Sequence, residues 1–287
     1  MTTATTASRS GTFDLGDTTV TRLGYGTMQL TGPGVWGDPK DPDEAVRVIR
    51  RAYELGVTFY DTADSYGPVV AEQLLKTALH PYPADVVIAT KAGLTRQGPG
   101  KWTPVARPAY LRQQCEMSLR HLGLEQIPLY QLHRIDSHVP LADQIGELRA
   151  LQSEGKIRHI GLSEVTVDQL VEAQKYATIV SVQNLFNLTN RSAEALLDHC
   201  TEHGIGFIPW FPLATGKLAD SGGPLADIAQ RLDASPSQVA LAWLLRRSPV
   251  MLPIPGTSSV AHLEDNVAAA GLELSDSDLQ ALDDLSA

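Results

Sequence analysis

Several side chains able to hold or move a proton stand where apolar runs end. Asp61 closes "VTFYD", Lys91 closes "VVIATK" and His133 closes "LYQLH". Tyr66 lies just beyond Asp61 in "FYDTADSYG", with Asp64 between them. A carboxylate, a phenol, an ammonium and an imidazole together are a set suited to proton transfer. Each alone has a plainer use, because a strand-end Asp or Lys is commonly a cap or half of a salt bridge, and single-residue signals are weak. Three of them at successive run ends, with Tyr66 in the loop after the first, are harder to dismiss together, and they require a fold that gathers those ends on one face.

The chain supplies such a fold. Short β-rich runs alternate with longer amphipathic stretches: "RLGYG" (22–26), "VTFY" (57–60), "DVVIAT" (85–90), "IPLYQL" (127–132), "IRHIGLS" (157–163), "TIVSVQ" (178–183), "GIGFIPW" (204–210) and "VMLPIPG" (250–256). Helical patterns such as "DEAVRVIRRAYELG", stopped by Gly56, separate them, giving eight strand-like and eight helical runs. Strands that are apolar throughout and divided by helices indicate a parallel sheet covered by helices. An open doubly wound sheet and a closed (β/α)8 barrel both fit. The count of eight, and the lack of a G-x-G-x-x-G after any early strand, favour the α/β barrel (a TIM barrel).

Ahead of the barrel, "TFDLGDTTVTR" (12–22) alternates around a turn-forming "GD", which predicts an N-terminal β-hairpin able to plug the barrel floor. Residues 1–11 read as a short disordered lead, and residues 12–287 as one domain, since no linker rich in Pro, Gly and Ser divides them. The long connections 27–42 and 93–108 follow strands and so belong to the C-terminal face, where barrel sites form.

Composition limits the partners. The 287 residues are 43% hydrophobic and 20% charged, as in a soluble globular chain. Acids outnumber bases 33 to 23, for a formal charge of −10, with no basic run. That argues against nucleic acid or an anionic membrane surface as partner, and an anionic ligand needs a local pocket. Cys115 and Cys200 lie far apart, outside any metal or C-x-x-C spacing, and read as buried thiols of a reducing cytoplasm. No signal peptide or membrane span is expected. No interface segment stands out, which leaves a monomer or weak homo-oligomer.

The stretches "GVTFYDTADSYG", "IATKAG", "LRHLGLEQIPLYQLH", "EGKIRHIGLSEV", "VQNLFNL" and "LPIPGTSS" resemble the aldo-keto reductases over roughly residues 12–287. The resemblance implies a (β/α)8 barrel that binds a nicotinamide cofactor without a Rossmann motif. It implies Asp61, Tyr66, Lys91 and His133 as catalytic residues: Tyr66 the proton donor, Lys91 lowering its pKa, Asp61 pairing with Lys91, and His133 orienting the carbonyl. Asp64 matches no family role and reads as a solvated or capping acid.

The same resemblance implies the cofactor contacts. Ser163 and Gln183 correspond to residues that bind the carboxamide. Trp210 stands where the family stacks an aromatic ring, with Phe211, Pro212 and Leu213 beside it and Lys217 as a further phosphate ligand. Gly256, Thr257, Ser258 and Ser259 sit at a predicted helix N-terminus, where free amides and the helix dipole favour phosphate. Asp265 and Asn266 match the adenine contacts. Glu164 replaces the asparagine of many relatives, and Gly256 and His262 stand where many have lysine and arginine. NADPH is the implied cofactor, with NADH left open.

Within the family, "RLGYGTMQLTGPGVWG", "ALHPY" and "LAWLLRRSPVMLPIPGTSSVAHLEDN" resemble its bacterial pyridoxal-reducing branch, which implies reduction of pyridoxal to pyridoxine. Trp36 and Trp102, on the two long active-face loops, are the expected walls of the substrate pocket. Two other readings stay open: a reductase tailoring a sugar or ketone in a biosynthetic pathway, and a cofactor-binding regulatory subunit.

Overall fold

Each parallel strand of this chain lies between helices and the barrel interior, so apolar residues are favoured on both its faces. In "IPLYQL" only Pro128 is more than slightly accessible. The computed structural model describes residues 6–213 and 223–286. Its strands are β1 (Thr12–Leu15), β2 (Thr18–Thr21), β3 (Tyr25–Gly26), β4 (Phe59–Asp61), β5 (Val87–Ala92), β6 (Leu94–Arg96), β7 (Trp102–Pro104), β8 (Ile127–Leu132), β9 (Ile157–Ser163), β10 (Ile179–Leu185) and β11 (Gly206–Trp210).

β3, β4, β5, β8, β9, β10 and β11 form one parallel sheet in chain order. That order never reverses, as it would in a doubly wound sheet. Residues 250–256 then close the ring. On one side Phe207 N donates to Val250 O and Leu252 N donates to Phe207 O, both at 2.8 Å; on the other Gly24 N donates to Pro253 O at 2.9 Å. Parallel bridges join Phe207 to Met251 and Gly26 to Gly256. Pro253 and Pro255 have no N–H to give a ladder, so this eighth segment bridges its neighbours without becoming a regular strand. The architecture is a (β/α)8 barrel.

The hairpin β1–β2 covers the floor. Leu15 and Val20 pack with Phe59, Val87, Ala89, Leu129, Ile208 and Leu252. Its turn needs Gly16, where φ is 65° and a Cβ would come within 2.4 Å of the His159 ring.

Ten helices are present among the described residues: α1 (Pro42–Glu54), α2 (Val70–Leu79), α3 (Pro108–Leu122), α4 (Leu141–Ser153), α5 (Val167–Gln174), α6 (Glu194–His203), α7 (Pro224–Arg231), α8 (Pro236–Arg247), α9 (Val260–Ala268) and α10 (Asp276–Asp283). Helix α1 shows why they form. Asp41 accepts from Glu44 N, Pro42 opens the first turn, and Ala45, Val48, Ile49 and Ala52 make one buried stripe. The expected eight become ten partly because Ser235, with Gln238, forms a capping box that starts α8 directly after α7. None of these helices is long and apolar enough to cross a membrane.

The lead also differs from expectation. Residues 1–5 lie outside the described residues, but Ala7–Ser10 form a 3-10 turn. Ala7 N donates to Leu55 O at 2.8 Å, and Ser10 Oγ accepts from Leu23 N at 2.9 Å. Ordered chain therefore begins before residue 12, because this turn has backbone partners on the barrel.

Candidate active site

Register brings the strand ends together. Asp61 is the last residue of β4, Lys91 is the penultimate residue of β5, and His133 follows β8 directly. Lys91 Nζ lies 2.6 Å from Asp61 Oδ1, 2.8 Å from Thr62 O and 3.3 Å from Tyr66 Oη. The other Asp61 oxygen accepts amide N–H groups from Gln183 at 2.8 Å and Gln131 at 3.2 Å. The lysine side chain has no exposed area and the aspartate 2%, so the pair is held by full hydrogen bonding rather than by solvent. The Tyr66 ring meets His133 and Trp102 edge-on, with centroids 5.9 and 6.4 Å away.

The local charges follow from burial. Burial would lower the Lys91 ammonium, but the Asp61 carboxylate and Tyr66 outweigh it and hold it above the ordinary lysine value. Burial likewise pushes the Tyr66 phenol up, and Lys91 offsets only part of that push. Lys91 thus acts on Tyr66 in the expected direction, against a larger opposing effect of desolvation. Burial, reinforced by Lys91, Arg134 and Arg96, keeps His133 well below the ordinary histidine value, so it is neutral at pH 7. Its Nδ1 faces Ser65 Oγ at 3.3 Å.

Asp64 is not the solvated acid that the sequence suggests. It is 6% exposed, and its Oδ1 has no hydrogen-bond partner. Burial and the neighbouring Glu72 raise its carboxyl well above the ordinary value. The folded chain thus holds this proton more tightly than the unfolded one, a stabilisation present below the ordinary carboxylate pKa and lost as pH rises through the raised folded-state value. An Asp64→Asn variant carries no such dependence. Its stability relative to the native chain should rise from about pH 4 to about pH 7, read from urea midpoints. A gap that stays constant with pH would contradict this account of Asp64.

Above the four residues opens a cleft of about 880 Å³. Trp102 and Val35 border it, as do Trp210, Phe211, Pro212 and Leu213. Trp36 is not among its walls. That indole is 37% exposed, and the Arg96 guanidinium lies 5.7 Å from its ring centroid, so its expected role as a wall of the pocket is corrected.

The expected cofactor residues divide by position. Ser163, Gln183, Trp210 and Gly256 line the cleft. Glu164, an acid in place of asparagine, has φ 54° and accepts from Leu185 N at 2.8 Å and from the Trp210 indole N–H at 2.5 Å. It thereby fastens the aromatic face beside the cleft. Thr257 is buried and Ser258 exposed, ahead of α9; Ser259 is the α9 cap and accepts from the backbone N–H of exposed His262. Asn266 is buried in α9. Asp265 turns elsewhere: it accepts from Ser235 Oγ at 2.7 Å and Gln238 Nε2 at 2.8 Å, which ties α9 to the start of α8. Lys217 lies outside the described residues.

Two cations escaped sequence reasoning. Arg134 lines the cleft and spends one guanidinium nitrogen, Nη1, on His133 O at 2.6 Å and Ser163 Oγ at 3.0 Å. Its position directly after a strand-end histidine was the available signal. The other, Arg96, anchors the loops that carry Val35 and Ser65.

A barrel with a lysine, aspartate, tyrosine and histidine gathered at its C-terminal mouth defines a class, and sequence comparison agrees. The aldo/keto reductase family model matches residues 22–287, and the chain belongs to that family of oxidoreductases. An uncharacterized oxidoreductase of Schizosaccharomyces pombe is 54% identical over 281 residues, 98% of this chain and 92% of that protein. Pyridoxine 4-dehydrogenase of Escherichia coli is 46% identical over 283 residues, 96% of this chain and 99% of that one. Among solved structures, an aldo-keto reductase from Klebsiella pneumoniae in complex with NADPH superposes with a TM-score of 0.80 at 27% identity, covering 93% of this chain and 91% of the other.

Proposed function

We propose that the protein reduces an aldehyde or ketone to an alcohol with NADPH, and that pyridoxal, giving pyridoxine, is its substrate. The observation that carries this is the buried Lys91–Asp61 pair within 3.3 Å of Tyr66 Oη, beneath an aromatic-walled cleft. The Escherichia coli relative's name and the Klebsiella structure's NADPH support the substrate and the cofactor.

The donor set fits a nicotinamide dinucleotide. Ser163 and Gln183 offer a hydroxyl and an amide to a carboxamide, Trp210 offers a flat face, and Gly256 leads from the cleft to the N-terminus of α9, whose free amides suit a phosphate. When bound, the reduced nicotinamide supplies a hydride. The chain's own residues handle the rest. Tyr66 gives its proton to the carbonyl oxygen as negative charge develops there. A raised phenol pKa does not prevent this, because the forming alkoxide is a stronger base than phenolate. Lys91 stabilises the phenolate left behind, and Asp61 keeps Lys91 in place. Neutral His133 donates a hydrogen bond to the same oxygen. A regulatory subunit has no need of a complete proton-transfer set. The two buried free thiols suit a cytoplasmic setting.

Pyridoxal in particular suits Arg134. Among the described residues, Nε and Nη2 of that guanidinium have no hydrogen-bond partner, so they are available to an oxygen on a flat heteroaromatic ring. Pyridoxal carries an ionised ring oxygen beside its aldehyde; pyridine-4-carboxaldehyde does not. A charge-assisted hydrogen bond contributes about 1.5–3 kcal/mol, roughly 10- to 100-fold. Arg134→Gln should therefore raise the KM for pyridoxal by about that factor and leave pyridine-4-carboxaldehyde little changed, followed as NADPH loss at 340 nm. If native enzyme turns over a sugar or another ketone and ignores pyridoxal, the biosynthetic-tailoring reading replaces this one. If no carbonyl is reduced, the regulatory reading does.

A further inference from the structure

Arg96, the last residue of β6, has no hydrogen bond to Tyr66 or to an expected cofactor residue among the described residues, yet it joins several loops beside the cleft. Nη1 donates to Val35 O at 2.6 Å and Ser65 O at 2.7 Å, Nη2 to Gly34 O at 2.8 Å, and Nε to Lys101 O at 3.0 Å. Its guanidinium carbon lies 3.5 Å from the centroid of the Trp102 ring. Among the described residues it has no carboxylate partner within ion-pair distance, and burial pulls its pKa down. A charge so placed is held by carbonyl dipoles and a π-face, an arrangement that a planar fork of donors satisfies and an ammonium does not.

The segments it joins are those whose geometry matters. Ser65 immediately precedes Tyr66, and its hydroxyl meets His133 Nδ1 at 3.3 Å. Val35 borders the cleft with φ 55°, a left-handed conformation unfavourable for a β-branched residue by roughly 1–3 kcal/mol, which neighbouring bonds must over-determine. Val35 O accepts from Arg96 and also from Gly67 N at 3.3 Å. Trp102 packs edge-on to both Tyr66 and His133, with centroids 6.4 Å away in each case. A single side chain therefore ties the turn that carries the tyrosine, a strained loop and the hairpin that supplies an aromatic wall.

We propose that Arg96 is a positioning residue, whose guanidinium sets the aim of Tyr66 and the stance of Trp102 by locking the Val35 loop, the Ser65–Tyr66 turn and the β6–β7 hairpin together. It acts through these groups and not on the reacting atoms, and its kinetic consequences rest on the reductase reading above.

The test uses full-length Arg96→Ala and Arg96→Lys with three readouts. A displacement of about 1 Å at a reacting group lowers turnover on the order of 10²-fold. Arg96→Ala should therefore lose about that much kcat for whichever carbonyl the native protein reduces. Its NADPH Kd, read by quenching of intrinsic fluorescence, should stay within about 2-fold, since such a change is under 1 kcal/mol. Arg96→Lys, which keeps the charge but not the fork, should lose kcat to an intermediate degree. In both variants amide hydrogen exchange should quicken in peptides covering residues 33–37, 65–67 and 97–103, and remain native elsewhere. The exchange readout needs no turnover, so it judges Arg96 even if the reductase reading fails. Native exchange in those peptides, or a native kcat in folded Arg96→Ala, overturns the proposal. So does a loss in Arg96→Lys that merely follows its unfolded fraction, with exchange quickened throughout the chain.

Discussion

A Tyr66→Phe variant should fold like the native chain and lose kcat by roughly 10²–10⁴-fold, the range that a positioned general acid supplies. The ring is 6% exposed and held edge-on by His133 and Trp102, contacts that phenylalanine keeps. Only the hydroxyl goes, and with it the one proton donor 3.3 Å from Lys91 Nζ. Because Lys91 also bonds Asp61 and Thr62 O, it is not left unpartnered, and the midpoint of unfolding should move little. NADPH binding, followed by fluorescence, should persist. Retention of native kcat would remove Tyr66 from the proton-donor role.

Lys91→Met should be damaging on two counts. It takes away the cation that stabilises a Tyr66 phenolate, so kcat should fall at least as far as in Tyr66→Phe. It also strands the Asp61 carboxylate in the barrel with, among the described residues, the Gln131 and Gln183 amides as its remaining side-chain donors. Breaking a buried pair by removing one partner costs about 3–5 kcal/mol, whereas removing both charges is commonly near neutral. Asp61→Asn/Lys91→Met should therefore be more stable than Lys91→Met alone while remaining inactive, measured by urea unfolding and steady-state kinetics. If the double variant were the less stable of the two, the burden would not be an uncompensated charge at Asp61.

What the sequence made legible was what depends on strand ends. Asp61, Lys91 and His133 terminate continuous apolar runs, and in a parallel barrel all such ends emerge at one mouth. The hairpin ahead of the barrel was readable from its alternation around "GD". Side chains that act across the fold were not readable. Glu164 matters through an indole N–H on another strand, and Arg96 through carbonyls in segments far away in the chain. Asp64 looked polar and solvated because its loop is polar, while its burial, and the neighbouring Glu72 of α2 that adds to its raised pKa, come from the folded chain. Desolvation of Tyr66 is likewise a property of the folded barrel, invisible in the spacing of Lys91 and Tyr66. The eighth strand was visible as an apolar run, but its prolines decide that it bridges and does not pair fully.

The proposed reaction requires hydride to arrive at a carbonyl carbon above Tyr66. The most direct measurement supplies NADPH deuterated at the transferable C4 position together with pyridoxal, and examines the product by mass spectrometry. The expected result is pyridoxine with one deuterium on its new carbinol carbon, formed in step with NADPH loss at 340 nm and nearly abolished in Tyr66→Phe. NADPH consumption without deuterated pyridoxine, or none with pyridoxal at all, would contradict the account.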